Sequence, residues 1–291
     1  MGTGPFLLLA SLEGMVMAAV LALTAVGLSL TFGVMRVVNV AHGEFFMLGA
    51  VLAWVVAQAV PSAPLGFVAA LILCPLVVGA VAALADTAIL KRLNYDPEAT
   101  IVATIGISYI LQQGALSFFG PDARAVEAPF SLRLQFPWFG YSGYKLFVVV
   151  AAGLVLLAVW LFMTRSRAGL VMRATQVDRN TARAFGINVD RVYAGTFALG
   201  AALAAVAAVL IVPIQQAHYL MGHDPLLLSF IVVIIGGLGS IRGTLIAALL
   251  IGLSDGIISM FFTPTLAKIV ATLAVALVLV FRPQGLFGAR A

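Results

Sequence analysis

The sequence predicts an all-α fold, a polytopic transmembrane helical bundle of about 8–10 membrane segments, some of them broken or re-entrant. Three observations predict it. Of 291 residues, 63% are hydrophobic and only 9% are charged. The mean hydropathy is +1.15. Apolar runs of spanning length recur along the whole chain. Soluble domains are roughly 45–50% apolar and about 25% charged. A globule of this size has too little polar surface to cover so much apolar side chain, which excludes a soluble enzyme and a disordered protein. The net charge of +5 is read as loop cations that orient spans, not as a nucleic-acid footprint. The single cysteine, Cys74, lies in an apolar run and forms no internal disulfide.

A spanning helix needs about 20 mostly apolar residues. Candidate runs fall near 6–34, 45–60, 65–90, 99–119, 145–163, 192–214, 225–238, 243–262 and 266–281. The first is too long for one straight span; the second and seventh are short. No Lys or Arg precedes Arg36, so the first run reads as a retained span and not a secretory signal. If each run crosses once, one side collects Arg36, Lys91, Arg92, Arg165, Arg167, Arg173, Arg179, Arg183, Arg191, Arg242, Arg282 and Arg290. The other side holds Arg124, Arg133, Lys145 and Lys268. Short loops rich in Lys and Arg stay cytoplasmic, which predicts the N-terminus outside and the C-terminus inside. Residues 120–144 carry Gly120, Pro121, Pro129 and Pro137, a loop composition, with Trp138, Tyr141 and Tyr144 suited to a membrane interface.

Ionisable and polar groups inside apolar runs are the functional candidates. Arg36, Asn39, His42 and Glu44 cluster where the first run meets the second, and Gly43 offers a helix break. The cluster is read as a turn with an Arg36–Glu44 ion pair, as a break beside a translocation path, or as a direct substrate contact. In the fourth run, Thr100, Thr104, Ser108 and Gln112 recur every four residues. Each step drifts only about 40° around a helix. They form one polar stripe that either lines a watery path or bonds a neighbouring helix. Glu13, Asp86 and Asp255 are lone acids, and spacing gives no proton relay. His218, His223 and Asp224 share a presumptive outer loop with only weak metal-site spacing, so no metal is expected. Gly239-x₃-Gly243 and Gly252-x₃-Gly256 permit close helix approach. No phosphate-cradling G-x-x-x-x-G-K-[ST] occurs.

Residues 164–191, TRSRAGLVMRATQVDRNTARAFGINVDR, hold six arginines with helical character. Gly186 is placed to stop a helix. A short helix here is either a docking knob for a soluble partner or a positive-inside anchor that binds nothing.

The chain resembles the permease subunit of branched-chain amino-acid ABC importers, the LivH type, over nearly its whole length. The residues that carry the resemblance are GLSLTFGVMRVVNVAHGEFFMLGA at 27–50, ATIGISYILQQGA at 103–115, the segment 169–210 beginning GLVMRATQVDRNTARAFG, and GGLGSIRGTLIAALLIGL at 236–253. The resemblance implies one permease domain over 1–291, with a cytoplasmic coupling segment at about 165–191. It implies a multi-part importer in a bacterial inner membrane: ATPase subunits that hold ATP-Mg, a second homologous permease subunit or a second copy of this chain, and an external solute-binding protein. The chain itself would be no enzyme and bind no cofactor. The implied contacts to the ATPase are Arg173, Ala174, Asp178, Arg179, Ala182, Phe185, Gly186 and Ile187. The polar cluster and the stripe, not the resemblance, supply the candidate path residues: Asn39, His42, Gly43, Glu44, Thr100, Thr104, Ser108 and Gln112. The family's Glu-Ala-Ala before the glycine turn is replaced here by Asn180-Thr181-Ala182, which removes an ion pair from position 180. Permeases for urea, amides and sugars share the architecture. A gradient-driven secondary transporter would account for the membrane acids but not for the arginine-rich loop. An intramembrane protease would need Asp86 to face Asp255 or His42 to face a serine.

Overall fold

In the computed structural model, which describes residues 3–282 and 284–287, every one of the nine apolar runs is a helix. They are α1 (Thr3–Met35), α2 (His42–Ala59), α3 (Ala63–Ala88), α4 (Pro97–Phe119), α5 (Gly143–Arg165), α8 (Val189–Ile211), α9 (His223–Gly236), α10 (Ile241–Phe261) and α11 (Pro264–Phe281), with α6 (Arg167–Val177) and α7 (Arg179–Ala184) between α5 and α8. Eight of the described helices are long and apolar enough to cross a membrane, and α9 is a shorter apolar helix. A one-turn 3₁₀ segment, Leu90–Leu93, extends α3, and the α4–α5 connection folds a small antiparallel hairpin of β1 (Arg133–Gln135) and β2 (Gly140–Ser142). Arg290 lies outside the described residues.

The first run is one uninterrupted helix of 33 residues, about 50 Å long at 1.5 Å per residue, against a hydrocarbon core of about 30 Å. The chain breaks after it, at Arg36, which has a left-handed φ of 55°. The surplus length stands at the N-terminal end. Lys145, at the start of α5, pairs with Glu13 at 2.6 Å, which marks one rim of the molecule. Residues before Glu13 rise past it and pack on the end of α10 through the Phe6–Phe261 edge contact.

Two chain segments re-enter the bundle. After α1 ends, residues 36–41 climb back along it, and α2 begins at His42, whose Nε2 lies 2.9 Å from the Thr24 carbonyl. Thr24 is about 17 Å from Glu13 and about as far from Met35 along the helix, so α2 starts half way through. The connection from α8 to α9 does the same from the other rim, and Gly222 meets Gly43 backbone to backbone. The N-termini of α2 and α9 therefore face each other at the mid-depth of the bundle.

The packing repeats itself with inverted direction. α1 packs along α10 as α8 packs along α3; α2 rests on α3 and α8 as α9 rests on α10 and α1; α4 leans on α2 as α11 leans on α9. The helices α1–α4 and α8–α11 thus form two halves of opposite orientation. The two self-matching contacts, Gly27 with Gly200 and Gly43 with Gly222, lie where the halves cross. The symmetry lies in packing and direction, because helix packing in lipid asks for small residues and shape more than for identity.

The cations segregate. Arg36, Lys91, Arg92, the α6–α7 arginines, Arg242 and Arg282 sit toward the end where α1 stops and α8 begins, whereas Arg124, Arg133, Lys145 and Lys268 lie toward the Glu13 rim. Tyr141 and Tyr144 are not interfacial anchors. Both are buried, and the Tyr144 hydroxyl donates to the Leu210 carbonyl at 2.8 Å. Of the three aromatics only Trp138 is exposed. Burial, and after it the Glu13 carboxylate, raise the Tyr141 phenol above its ordinary pKa.

The close crossing is testable. A Cβ on Gly27 would lie 2.5 Å from the Gly200 carbonyl, whereas one on Gly153 meets nothing within 4 Å. Gly27→Val should destabilise the protein by about 1–3 kcal/mol through overpacking, seen as a lowered melting temperature in detergent. Gly153→Ala should be neutral or stabilising, since alanine is the better helix former by about 1 kcal/mol. Equal melting of the two variants would show that the helices do not approach as described.

Candidate functional site

The site at mid-depth is built from the three elements that meet there. Leaving the helix at residue 36 frees backbone groups that lipid cannot satisfy. One of them is met by a neighbouring helix: the Val40 amide donates to Thr104 Oγ1 of α4 at 3.2 Å. His42 is fully buried. Because its Nε2 faces a carbonyl, which only accepts, that nitrogen carries the proton and Nδ1 is left as a bare acceptor with no partner. Asn39 Oδ1 and Glu44 Oε2 are likewise buried and unpartnered. Burying polar atoms without partners costs free energy, so their concentration in one six-residue segment distinguishes it from the surrounding apolar bundle.

Glu44 has 2% of its side chain exposed and lies 3.6 Å from His223 Nε2. Gln112 of α4 lies 2.8 Å from the same nitrogen. Glu44, Gln112 and His223 thus join α2, α4 and α9. The His223 side chain is 60% exposed, so a polar surface opens at the middle of an apolar bundle. His223 had been grouped with His218 and Asp224 in an outer loop; it is instead the first residue of α9, because the α8–α9 connection turns inward. No sequence signal marks that turn beyond Pro213 and the short following helix. Among the described residues no three His, Cys, Asp or Glu side chains gather as a metal site.

The polar stripe of α4 faces inward. Thr100, Thr104 and Gln112 are buried and Ser108 is half-buried. Thr104 and Gln112 hydrogen-bond neighbouring elements, while Thr100 Oγ1 has no partner. The Arg36–Glu44 pair does not form: Arg36 stays at the far end of α1, and Glu44 turns to His223. Asp86 bonds the Tyr95 hydroxyl at 3.3 Å and Asp255 lies on α10 near the Glu13 rim, so the two acids do not face each other.

The second feature is an elbow at the arginine-rich end. The expected single helix is two, α6 and α7, broken at Asp178. Asp178 has extended backbone, and its carboxylate accepts from the Asn180 and Thr181 amides, at 2.8 Å and 3.3 Å, and from the Thr181 hydroxyl. It caps α7 in the manner that ends helix continuity. At the other end the Ile187 amide reaches the Ala182 carbonyl and the Gly186 amide the Arg183 carbonyl, with Gly186 at φ +82°. That is a Schellman stop, which requires a left-handed residue. Asp190 then ties the elbow to the bundle through Arg183 and Lys91, each at 3.3 Å, and Gln176 donates to the Gly239 carbonyl at 3.3 Å. Gly169 lies against the Phe162 carbonyl, fixing α6 on α5. Of the eight residues assigned to the coupling segment, Arg173, Ala174, Asp178, Arg179, Phe185 and Gly186 point outward, Ile187 is half-buried and Ala182 is turned in. Val177 and Phe185 are 81% and 82% exposed, two apolar side chains on a basic surface.

Asp178 is held below the usual carboxylate range, first by the Thr181 hydroxyl and then by the two amides. A depressed folded-state pKa contributes stability that is present above the ordinary carboxylate pKa and is lost as pH falls through the depressed one. The cap should therefore persist at neutral pH and release in acid. Asp178→Ala should speed amide exchange at residues 180–186 at pH 7, with the wild type converging on it only in acid; identical exchange at neutral pH would refute the cap.

Three comparisons with known proteins bear on this geometry. The family model "Branched-chain amino acid transport system / permease component" matches residues 10–280. The high-affinity branched-chain amino acid transport system permease protein BraD of Pseudomonas aeruginosa is 29% identical over 95% of this chain and 94% of its own length. LivH of Escherichia coli, described in the same terms, is 28% identical over 95% and 94%. A galactofuranose transporter permease protein, YtfT of Escherichia coli, is 26% identical over 92% of this chain and 77% of its own. Among solved structures, PsaBC from Streptococcus pneumoniae in complex with Fab superposes with a TM-score of 0.51 at 14% identity, over 94% of this chain and 92% of that one. At that identity the likeness concerns the fold alone.

Proposed function

Since the chain belongs to the family of branched-chain amino acid transport permease components, we propose that it forms half of the translocation path of an ATP-driven importer for branched-chain or similarly hydrophobic amino acids. The substrate assignment is carried over from the relatives BraD and LivH. ATP-Mg is bound and hydrolysed in partner ATPase subunits. A second homologous permease, or a second copy of this chain, completes the path, and an external solute-binding protein delivers the substrate. The membrane is the bacterial inner membrane, with the arginine-rich end cytoplasmic by the charge rule and the Glu13 rim outside.

The observation that carries this reading is the capped α6–α7 elbow. It is basic, exposes Val177 and Phe185, and is fixed to the bundle at Gly169, Gln176 and Asp190. A rigid projection with an apolar tip suits a cleft on a soluble subunit that moves as it binds and hydrolyses ATP. An anchor that binds nothing would not need two apolar side chains held in water. Motion at the elbow enters α5 through Gly169 and the α9–α10 connection through Gly239.

The path runs past the mid-depth site. Asn39, His42, Gly43 and Glu44 stand at the start of α2, Thr100, Thr104, Ser108 and Gln112 on α4, and His223 on α9. Two helix N-termini there supply free amides and partial positive charge, and Glu44 supplies a negative group, a weak complement to a zwitterion. Strong binding is not needed where a binding protein selects.

Gly186→Pro forces φ to about −65° where the turn needs +82°. It should leave membrane insertion intact and abolish ATP-driven uptake; normal uptake would refute the elbow's role. Gln112→Leu should lower uptake with little change in melting temperature. A loss of stability with uptake retained would make the α4 stripe a packing feature.

A further inference from the structure

Apart from the mid-depth site, the half of the protomer toward the Glu13 rim contains a cavity of about 280 Å³ between α1, α2, α9, α10 and α11. That is near the lower end of small-ligand pockets, about 300 Å³, so it suits one amino acid better than a disaccharide or a peptide. Met17 and Leu21 of α1, Phe46 of α2 and Leu228 of α9 give it apolar walls. The remaining wall is polar: Gln215 and His218 of the α8–α9 connection, Asp224 at the start of α9, Asp255 of α10 and Lys268 of α11 line it. Lys268 pairs with Asp224 at 2.7 Å, and both are exposed, so the cavity is open on that side. Asp255 is half-buried and has neither an ion pair nor a hydrogen bond among the described residues. A half-buried carboxylate without a partner attracts an approaching cation.

We propose that this cavity is an entry site for a free zwitterionic amino acid with an apolar side chain. The ligand's ammonium meets Asp255. Its carboxylate meets Lys268, whose present partner Asp224 is free to return to water. Its side chain lies against Met17, Leu21, Phe46 and Leu228. Neither charge of the ligand is then left unpaired in an apolar wall. The cavity lies on the face proposed to be external, so it precedes the mid-depth site on the inward route, and Thr24, whose carbonyl holds His42, also lines it. This inference rests on the reading of the chain as an amino-acid permease.

The test uses the full transporter in its membranes. A Met17→Cys change in a Cys74→Ala background provides one thiol in the cavity, and its alkylation rate by a maleimide is measured with and without ligand. L-leucine should slow alkylation at least fivefold. 3-Methylbutylamine, which lacks the carboxylate, and 4-methylpentanoate, which lacks the ammonium, should protect at least tenfold less well. Adding Asp255→Asn should remove protection by L-leucine, and Lys268→Met should raise the KM for leucine uptake more than it lowers kcat. Transporters that import L-leucine but show no protection overturn the inference alone. Equal protection by all three compounds reduces the site to an apolar cleft and overturns it as well, as does protection without ligand that disappears on delipidation, which assigns the cavity to a phospholipid. Wild-type membranes that import no L-leucine overturn the substrate reading, and the inference falls with it.

Discussion

The absence of water in the hydrocarbon around the bundle is the constraint from which the arrangement follows. In a bilayer every backbone amide and carbonyl must find a partner inside the protein. α2 and α9 nevertheless both begin half way through. Three contacts hold the two segments there: His42 donates to the Thr24 carbonyl, the Val40 amide donates to Thr104, and Gly43 lies against Gly222. Each of these needs a particular residue type. Glycine is needed at 43 and 222 because any Cβ there would overlap the opposite backbone. A donor of imidazole length is needed at 42 to reach a helix that passes beside it. Without this set the two re-entrant segments would leave unpaired backbone in lipid, and the halves would lose their crossing point.

Small residues then let the helices come together around that point. Gly14 lies against Gly252 and Leu253, Gly49 against Ala205, and Gly236 against Gly243. Between helices in lipid there is no hydrophobic gain in association, so close van der Waals packing and a few hydrogen bonds carry the stability. The apolar side chains that remain exposed on α3, α4, α5 and α11 are what a protein surrounded by acyl chains requires.

Much of this was legible in the sequence. Composition and run length gave the class, and all nine runs are helices, because a stretch of apolar residues in lipid has few alternatives. The first run is longer than one straight span needs; nothing within Thr3–Met35 breaks a helix, and the surplus rises past Glu13. The clustering of Asn39, His42 and Glu44 at a break was visible because polar residues in apolar runs stand out. His223 was placed in an outer loop because hydropathy records composition and not the inward turn of residues 212–222. The two-half symmetry was likewise hidden, since it resides in packing and direction. Asp178 was counted as a helical position, and its capping role depends on a backbone angle that spacing does not reveal. Tyr141 and Tyr144 followed the interfacial habit of tyrosine by type, but tertiary packing buried both.

The Gln176–Gly239 hydrogen bond has a consequence for timing. Gly239 also lies against Gly33 near the end of α1, and the segment that carries it joins α9 to α10. One element of each inverted half therefore converges on the same few atoms that the elbow grips. On the proposed role of the elbow, a displacement arriving there would reach both halves through the same few atoms, and the protomer would change as a unit.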